Sequence, residues 1–274
     1  MFKRLLILLA IILAAGVGLT AYAFFEARRD PVVRQARVVL PDWPAGVAPL
    51  RIVLLSDIHA GGLATPPERL ERIVAQVNAL RPDLVLLAGD FMPGHAPIDA
   101  ATTTAALAPL KALRAPLGVL AVPGNHDHWT GLREVTAALE SSGIRVLVNE
   151  AVVRGVLVIG GVDDDYTHHS RTAEVVAAMR RLPGPRLVFT HSPDIAPQLP
   201  ADFALLLAGH THCGQAVIPF YGSLDPVSRY QDRYRCGIIH DGVLTVIVTG
   251  GTGGSLPLRF NAPPDLWLVS VGGK

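Results

Sequence analysis

Two hundred and seventy-four residues, half of them hydrophobic and only 6% aromatic, suffice for one large domain with an extensive core or for two small ones. A formal net charge of +1 excludes a global electrostatic attraction to nucleic acid or to acidic membranes, and no basic tract interleaved with aromatics supplies a nucleic-acid footprint. Two cysteines, Cys213 and Cys236, exclude the disulfide framework that holds small secreted domains together.

The chain opens with Lys3 and Arg4, then runs from Leu5 to Phe25 without a charge. About 20 apolar residues span a bilayer as a helix. "AYA" at 21–23 also fits the cleavage pattern of a secretory signal. The length of the run and its continuation through Phe24 and Phe25 favour an uncleaved anchor. The lack of a polar face argues against a buried core helix. Residues 1–30 are thus expected to form a membrane anchor, 31–49 a linker and lead-in strand, and 50–274 the main domain. Two basic residues before the span, against the mixed charges of "EARRD" after it, place the main domain on the extracytoplasmic face of a bacterial inner membrane.

From residue 50 the pattern changes. "RIVLLSD" (51–57), "DLVLLAGD" (83–90), "LGVLAVPGNHD" (117–127), "RLVFTH" (186–191) and "ALLLAGHTH" (204–212) are each continuous apolar runs with polar ends. Such runs predict strands buried on both faces. Helical segments lie between them. In "TPPERLERIVAQVNAL" (65–80), Leu70, Ile73, Val74, Val77 and Leu80 share a face. Thr65 and Glu68 have capping-box spacing with prolines between them. Residues 99–114, 130–141 and 171–181 also read as helices. The alternation predicts a layered α/β fold. Near the end, "GIIHDGVLTVIVTGG" predicts a hairpin around Asp241-Gly242 and "LWLVSV" a last strand, so the sheet arrangement must admit antiparallel pairs or two sheets face to face.

Each of the five strands ends in metal-ligand residue types: Asp57 and His59, Asp90, Asn125 and His126, His191, and His210 and His212. In α/β folds, sites gather at the carboxyl ends of strands. The i, i+2 spacing of Asp57/His59 and of His210/His212 would aim each pair one way along extended chain. Gly89, Gly124 and Gly209 beside them permit close backbone approach. Oxygen and imidazole donors without a required thiolate suit Mn, Fe or Zn and disfavour a structural cysteine-type zinc site. Eight side chains exceed the needs of one ion, and two ions sharing a carboxylate is the economical arrangement. Ions about 3.5–4 Å apart can hold a nucleophilic hydroxide and neutralise charge at phosphorus.

"SDIH", "AGD", "GNHD", "THSPD" and "AGHTHCG", in that order, resemble the five motifs of the calcineurin-like metallophosphoesterases. The resemblance covers about residues 50–270. "LLLAGHTHCGQAVIPFYG" and "GTGGSLPLRFNAPPDL" bring it near the membrane-anchored bacterial subgroup of the YkuE and YaeI type. It implies a four-layer αββα sandwich of two mixed sheets with a dinuclear metal site at the strand ends. Asp57, His59 and His212 would hold one ion and Asn125, His191 and His210 the other, with Asp90 bridging. His126 would donate to a phosphoryl oxygen or protonate the leaving group, and Asp127 would orient His126. The implied reaction is hydrolysis of a phosphoester or pyrophosphate by in-line attack of the bridging hydroxide, on a phosphorylated small molecule or lipid. UDP-2,3-diacylglucosamine hydrolysis in lipid A synthesis is one candidate. A general phosphodiesterase or phosphomonoesterase is a second, and a non-catalytic metal-binding scaffold a third.

Cys213 departs from the subgroup, which has glycine there. It is read as a small residue in a tight loop, with pairing to Cys236 or thiolate ligation as alternatives. "DDDYTHH" (163–169) is read as a solvated loop at the site's rim, and His128 as a supporting or packing residue. His95 and His240 are read as surface residues, and "GGTGGS" (250–255) as a turn, since it lacks the Lys-Ser/Thr ending of a P-loop. Arg259 is either a surface charge or a substrate phosphate contact. Ser56 and Ser192 lack the G-x-S-x-G setting of a nucleophilic serine.

Overall fold

The structure, a computed structural model, describes residues 2–224 and 226–273. A long helix, α1 (Phe2–Arg28), precedes β1 (Val32–Val39) and β2 (Leu50–Leu55). Then follow α2 (Pro67–Ala79), β3 (Leu84–Ala88), α3 (Ala100–Leu107), β4 (Val119–Val122), α4 (Asn125–Thr130), α5 (Leu132–Ser141), β5 (Arg145–Val146) and β6 (Glu150–Arg154). Next come β7 (Leu157–Val162), α6 (Thr172–Arg180), β8 (Arg186–Thr190), β9 (Leu205–Ala208), and a short hairpin of β10 (Val217–Ile218) and β11 (Gly222–Ser223). The chain closes with β12 (Gly237–Asp241), β13 (Leu244–Val248) and β14 (Asp265–Gly272).

Two six-stranded mixed sheets result, in the orders β1-β14-β2-β3-β4-β5 and β12-β13-β9-β8-β7-β6. β2 through β5 run parallel, as do β7, β8, β9 and β13; β14 against β2, β6 against β7, and β12 against β13 are antiparallel. The hairpin at Asp241-Gly242 and the last strand both form.

The period-two projection of strand side chains sorts the apolar runs into three layers of core. Ile52, Leu54, Leu86, Ile159, Phe189, Leu207 and Trp267 meet between the sheets. Val53, Leu55, Val85 and Leu87 face the other way and pack on Leu70, Ile73, Val77, Val135 and Leu139 of α2 and α5. On the far side Val158, Val188, Leu206 and Val246 pack on Val175 and Met179 of α6. This is the four-layer αββα sandwich. The central strands read as unbroken hydrophobic runs because both faces of each are covered.

Two local expectations give way. α2 begins at Pro67, and Pro66 caps it without a side-chain bond. The Thr65 hydroxyl accepts from Arg69 instead of capping the helix. The 99–114 helix divides into α3 and a 3-10 turn over Ala108–Ala112, where Pro109 deprives the helix of a backbone donor.

α1 is long and apolar enough to cross a membrane, and the body buries none of its most apolar window. Its last turns, by contrast, are docked. Ala23 and Ala27 are buried, and the Ala23 carbonyl accepts from the Arg259 amide at 2.9 Å. Arg69, only 2% exposed, donates to the carbonyls of Arg28 (2.9 Å), Arg29 (2.7 Å) and Thr252 (2.7 Å). One guanidinium therefore ties the end of the span to α2 and to the loop after β13. Arg69→Met would strand these carbonyls, costing about 1–3 kcal/mol. Thermal unfolding of the full chain in detergent should show a midpoint lowered by roughly 3–10 °C, and an unchanged midpoint would contradict the tether.

Candidate metal centre

β2, β3, β8 and β9 deliver their carboxyl ends to one edge of the sandwich, and the loops that follow carry the polar residues. The two spaced pairs do not sit on extended chain. β2 ends at Leu55 and β9 at Ala208, two residues ahead of each pair. Asp57 (φ 51°), His59 (46°), Asp90 (57°), His210 (71°) and His212 (49°) all occupy the left-handed region. Such conformations are uncommon outside glycine and cluster at functional sites. Alternating left-handed residues, rather than strand pleat, bring each pair to one side. Asn125 and His126 lie in the first turn of α4, because β4 stops at Val122.

These side chains converge. Carboxylate and imidazole atoms of Asp57, His59, Asp90 and His212 all lie within 4.8 Å of one another. His212 Nε2 is 3.5 Å from Asp57 Oδ1, and His59 Nε2 is 3.7 Å from Asp90 Oδ2. On the other side of Asp90, His191 Nε2 lies 3.3 Å from the same Oδ2. It also lies 3.1 Å from Asn125 Oδ1 and 3.0 Å from His210 Nδ1. Two donor clusters thus share one carboxylate oxygen.

The buried atoms Asp57 Oδ1, His59 Nε2 and His210 Nε2 have no hydrogen-bond partner within the protein. An orphaned buried polar atom is costly, and two of these, Asp57 Oδ1 and His59 Nε2, belong to the converging cluster of Asp57, His59, Asp90 and His212, which fits a cation site. Burial pushes the Asp57 carboxyl up to about 6, against the pull of His191. It holds His59 and His210 down at about 3, as neutral imidazoles. Burial would also raise Asp90, but the charge of His191 and its hydrogen bond outweigh it and hold the carboxyl well below its ordinary range.

Close backbone packing fixes the frame. A Cβ on Gly89, itself at φ +81°, would come within 2.7 Å of the Gly124 amide nitrogen and 2.8 Å of His191 Nδ1. One on Gly209 would strike Ser56 and come within 2.6 Å of Asp57 Oδ2. Ser56 itself donates to the Ala88 carbonyl at 2.7 Å, a structural bond between β2 and β3. His191 Nδ1 donates to the same carbonyl at 2.7 Å, which turns Nε2 toward Asn125, His210 and Asp90.

Asp127 does not touch the His126 ring. Its carboxylate accepts from the amides of Asp90 (2.9 Å), Phe91 (2.8 Å) and Gly124 (2.9 Å), because its place in the first turn of α4 points it at free N–H groups. Burial raises Asp127 to about 7, and the amides of Gly124 and Phe91 oppose this. It clamps the Asp90 loop to the start of α4. The His126 ring is held instead by the Gly94 carbonyl, 2.5 Å from Nδ1, and its Nε2 lies 4.0 Å from Asp90 Oδ2.

Arg259 is not a surface charge. It is 1% exposed, and it donates to the carbonyls of Gly250 (2.7 Å), Gly253 (2.7 Å) and Ala262 (3.1 Å). Nη2 lies 3.2 Å from His212 Nδ1. The 250–253 turn that Arg259 braces packs on Asp57: the Gly253 amide donates to the Asp57 carbonyl at 2.7 Å. Cys213 is not mere loop filling, since it is disulfide-bonded to Cys236 with Cα atoms 4.7 Å apart. Adjacent to His212, the bond ties this loop to the start of β12.

The 163–169 loop supports the rim. Asp163 bonds His128 Nε2 at 2.9 Å, and the His128 ring stacks on His169 at 3.9 Å. Three residues without a periodic signal complete the cleft. The exposed His95 lies 4.9 Å, ring to ring, from both His126 and Trp129, and Tyr166 lies 4.9 Å from His210. They come from irregular segments or a one-turn helix, where spacing carries no information.

An αββα sandwich with two nitrogen–oxygen donor sets sharing an aspartate at its strand ends defines the metallophosphoesterase class. The sequence matches calcineurin-like phosphoesterases over residues 50–214, and the chain belongs to that family. It is 30% identical over 277 residues to a transmembrane protein with metallophosphoesterase domain from Danio rerio, covering 94% of this chain and 61% of that one. It is 29% identical to the phosphodiesterase YaeI of Escherichia coli strain K12 (82% and 83% covered) and 30% identical to the metallophosphoesterase YkuE of Bacillus subtilis strain 168 (83% and 81%). The chain thus spans about three fifths of the zebrafish protein. Family members use divalent metals, and the Asp57–His59–Asp90–His212 cluster suits them.

The clamp yields a prediction. Asp127→Ala frees three amides and unpins Asp90 from α4, so affinity for added Mn²⁺ should fall about 10–100-fold, the usual effect of losing a group that holds a ligand. Calorimetric titration of the metal-free full chain measures it, and wild-type affinity would refute the role.

Proposed function

We propose that this protein is a metal-dependent phosphohydrolase that cleaves a phosphoester or pyrophosphate bond in a membrane-proximal, lipid-linked substrate. The shared Asp90 oxygen between two donor sets is the observation that carries this reading. Asp57, His59 and His212 would hold one divalent ion, and Asn125, His191 and His210 the other. Mn²⁺, Fe or Zn²⁺ would each suit these donors. When bound, the ions supply Lewis-acid activation of a water and offset charge developing at phosphorus during in-line displacement.

The chain's own residues do the rest. Asp127 and the Ala88 carbonyl hold Asp90 and His191 in place before substrate arrives. His126 stands at the cleft wall, its Nδ1 fixed by Gly94. The other nitrogen is free to donate to a phosphoryl oxygen or to give a proton to the departing group. Arg259 keeps His212 and the 250–253 turn in register.

A general phosphodiesterase or phosphomonoesterase is the second reading, favoured by the name of YaeI. A metal-binding scaffold without turnover is the third. His126 in the cleft beside the complete donor set speaks against it.

Membrane side bears on the substrate. Lys3 and Arg4 favour an extracytoplasmic domain, and the Cys213–Cys236 bond supports this, since disulfides persist in oxidising compartments. UDP-2,3-diacylglucosamine, made in the cytoplasm, then fits less well than a lipid phosphate exposed on the outer face of the inner membrane.

Two measurements follow. With bis-p-nitrophenyl phosphate and Mn²⁺, Asp90→Ala should abolish turnover and lose bound metal. His126→Ala should keep both ions yet slow turnover by about 10²–10⁴. A fully active Asp90→Ala would end the mechanism. In isolated membranes, Cys213 and Cys236 should resist maleimide labelling until a reductant is added, and labelling without reductant would contradict the outward orientation.

A further inference from the structure

The cleft that holds the metal donors does not close behind them. It measures about 910 Å³, and its far wall is built partly from α1, through Leu19, Thr20 and Ala23. These belong to the last turns of the uncharged run. At about 1.5 Å per residue that run matches the ~30 Å apolar core of a bilayer, so they stand near the boundary between lipid chains and water. The span itself thus lines the path to the catalytic centre.

The elements around that wall are held to the span. Arg259 donates its amide to Ala23, and the Phe260 ring meets Tyr22 edge to face at 6.0 Å. Phe260 in turn accepts from the Val217 amide at 2.9 Å, fastening the β10–β11 hairpin to the same place. Leu258 shares a shallow apolar groove with Gly16, Val17 and Thr20 of α1, about two turns before the end of the run. Around the mouth, Leu224 and Leu256 are 57% and 59% exposed, and the hairpin tip presents Phe220 and Tyr221 wholly or largely bare. Large apolar side chains bare at a span's end, with aromatics among them, belong to a membrane interface.

We propose that the cleft is a chain slot. A lipid phosphate of the adjoining leaflet sets its phosphate at the Asp90 centre and keeps one hydrocarbon chain between α1 and the Leu224–Leu256 rim, while Phe220 and Tyr221 seat the hairpin in the headgroup layer. A free phosphorylated metabolite has no group to occupy the apolar half of this cleft, and the leaflet supplies one beside its mouth. The inference rests on the phosphohydrolase reading and names its substrate class.

The test uses the full chain in nanodiscs with Mn²⁺ and a series of alkyl p-nitrophenyl phosphates from methyl to dodecyl, which share one leaving group. kcat/KM should rise at least about fifteenfold along the series, the equivalent of two fully buried methylenes at about fourfold each. Leu224→Asp with Leu256→Asp, both at exposed positions, should flatten that rise. As a readout independent of turnover, an ω-brominated dodecyl phosphonate should quench Trp129, which lines the same cleft, in a background with Trp43→Phe and Trp267→Phe. Turnover with a flat chain-length profile and no quenching would overturn the slot and leave the hydrolase standing. Quenching without turnover of any ester would uphold the slot and remove the hydrolase.

Discussion

A carboxylate buried among imidazoles and a second carboxylate must be compensated by positive charge, and much of this molecule's architecture serves that constraint at Asp90. The residue is 1% exposed, and His59, His126 and His191 surround its Oδ2. Isolated buried charge is far too costly to persist. Against its own burial, the charge of Asp90 holds the His191 imidazole well above its ordinary range, which offsets part of the cost, while burial holds His59 and His210 neutral. Divalent cations would meet the rest of the need, and they would also satisfy the orphaned atoms of Asp57 and His59. Asp127 then acts as the keystone of the loop geometry, since one carboxylate gathers the amides of the Asp90 loop and of the start of α4.

Much of the fold was legible in the chain. Unbroken apolar runs such as Leu84–Ala88 announce strands covered on both faces, and the Leu70–Val77 stripe announces a helix packed on one of them. The donor residues were legible as types at strand ends. Their geometry was not: left-handed φ at Asp57, His59, Asp90, His210 and His212 comes from loops fitted against one another, which periodicity does not encode. Nor was the burial of Arg259, since an arginine in a Pro/Gly-rich segment reads as exposed until the carbonyls that receive it are seen. The Cys213–Cys236 bond depends on β12 returning beside the His212 loop, a contact 23 residues apart in sequence. His95, Trp129 and Tyr166 lie where no pattern marks a cleft.

The same comparison explains how site and span come to be one unit. The span is plain in composition, and so are the donors, but no sequence pattern tells that they meet. Two buried arginines make the join. Arg69 receives the carbonyls at the end of α1, and Arg259 braces the turn against Asp57 while its amide holds Ala23. Both are lowered to about 10 by burial, and both are satisfied mainly by backbone carbonyls rather than by carboxylates. Together they hold the end of α1 against the loops that surround the centre by hydrogen bonds to the backbone.

The claim on which this account depends is that two cations share Asp90. Anomalous diffraction from crystals of the Mn²⁺-loaded protein tests it most directly. The account predicts two peaks about 3.5–4 Å apart, one beside Asp57, His59 and His212, the other beside Asn125, His191 and His210, with Asp90 between them. A single peak away from Asp90, or none at saturating metal, would contradict it.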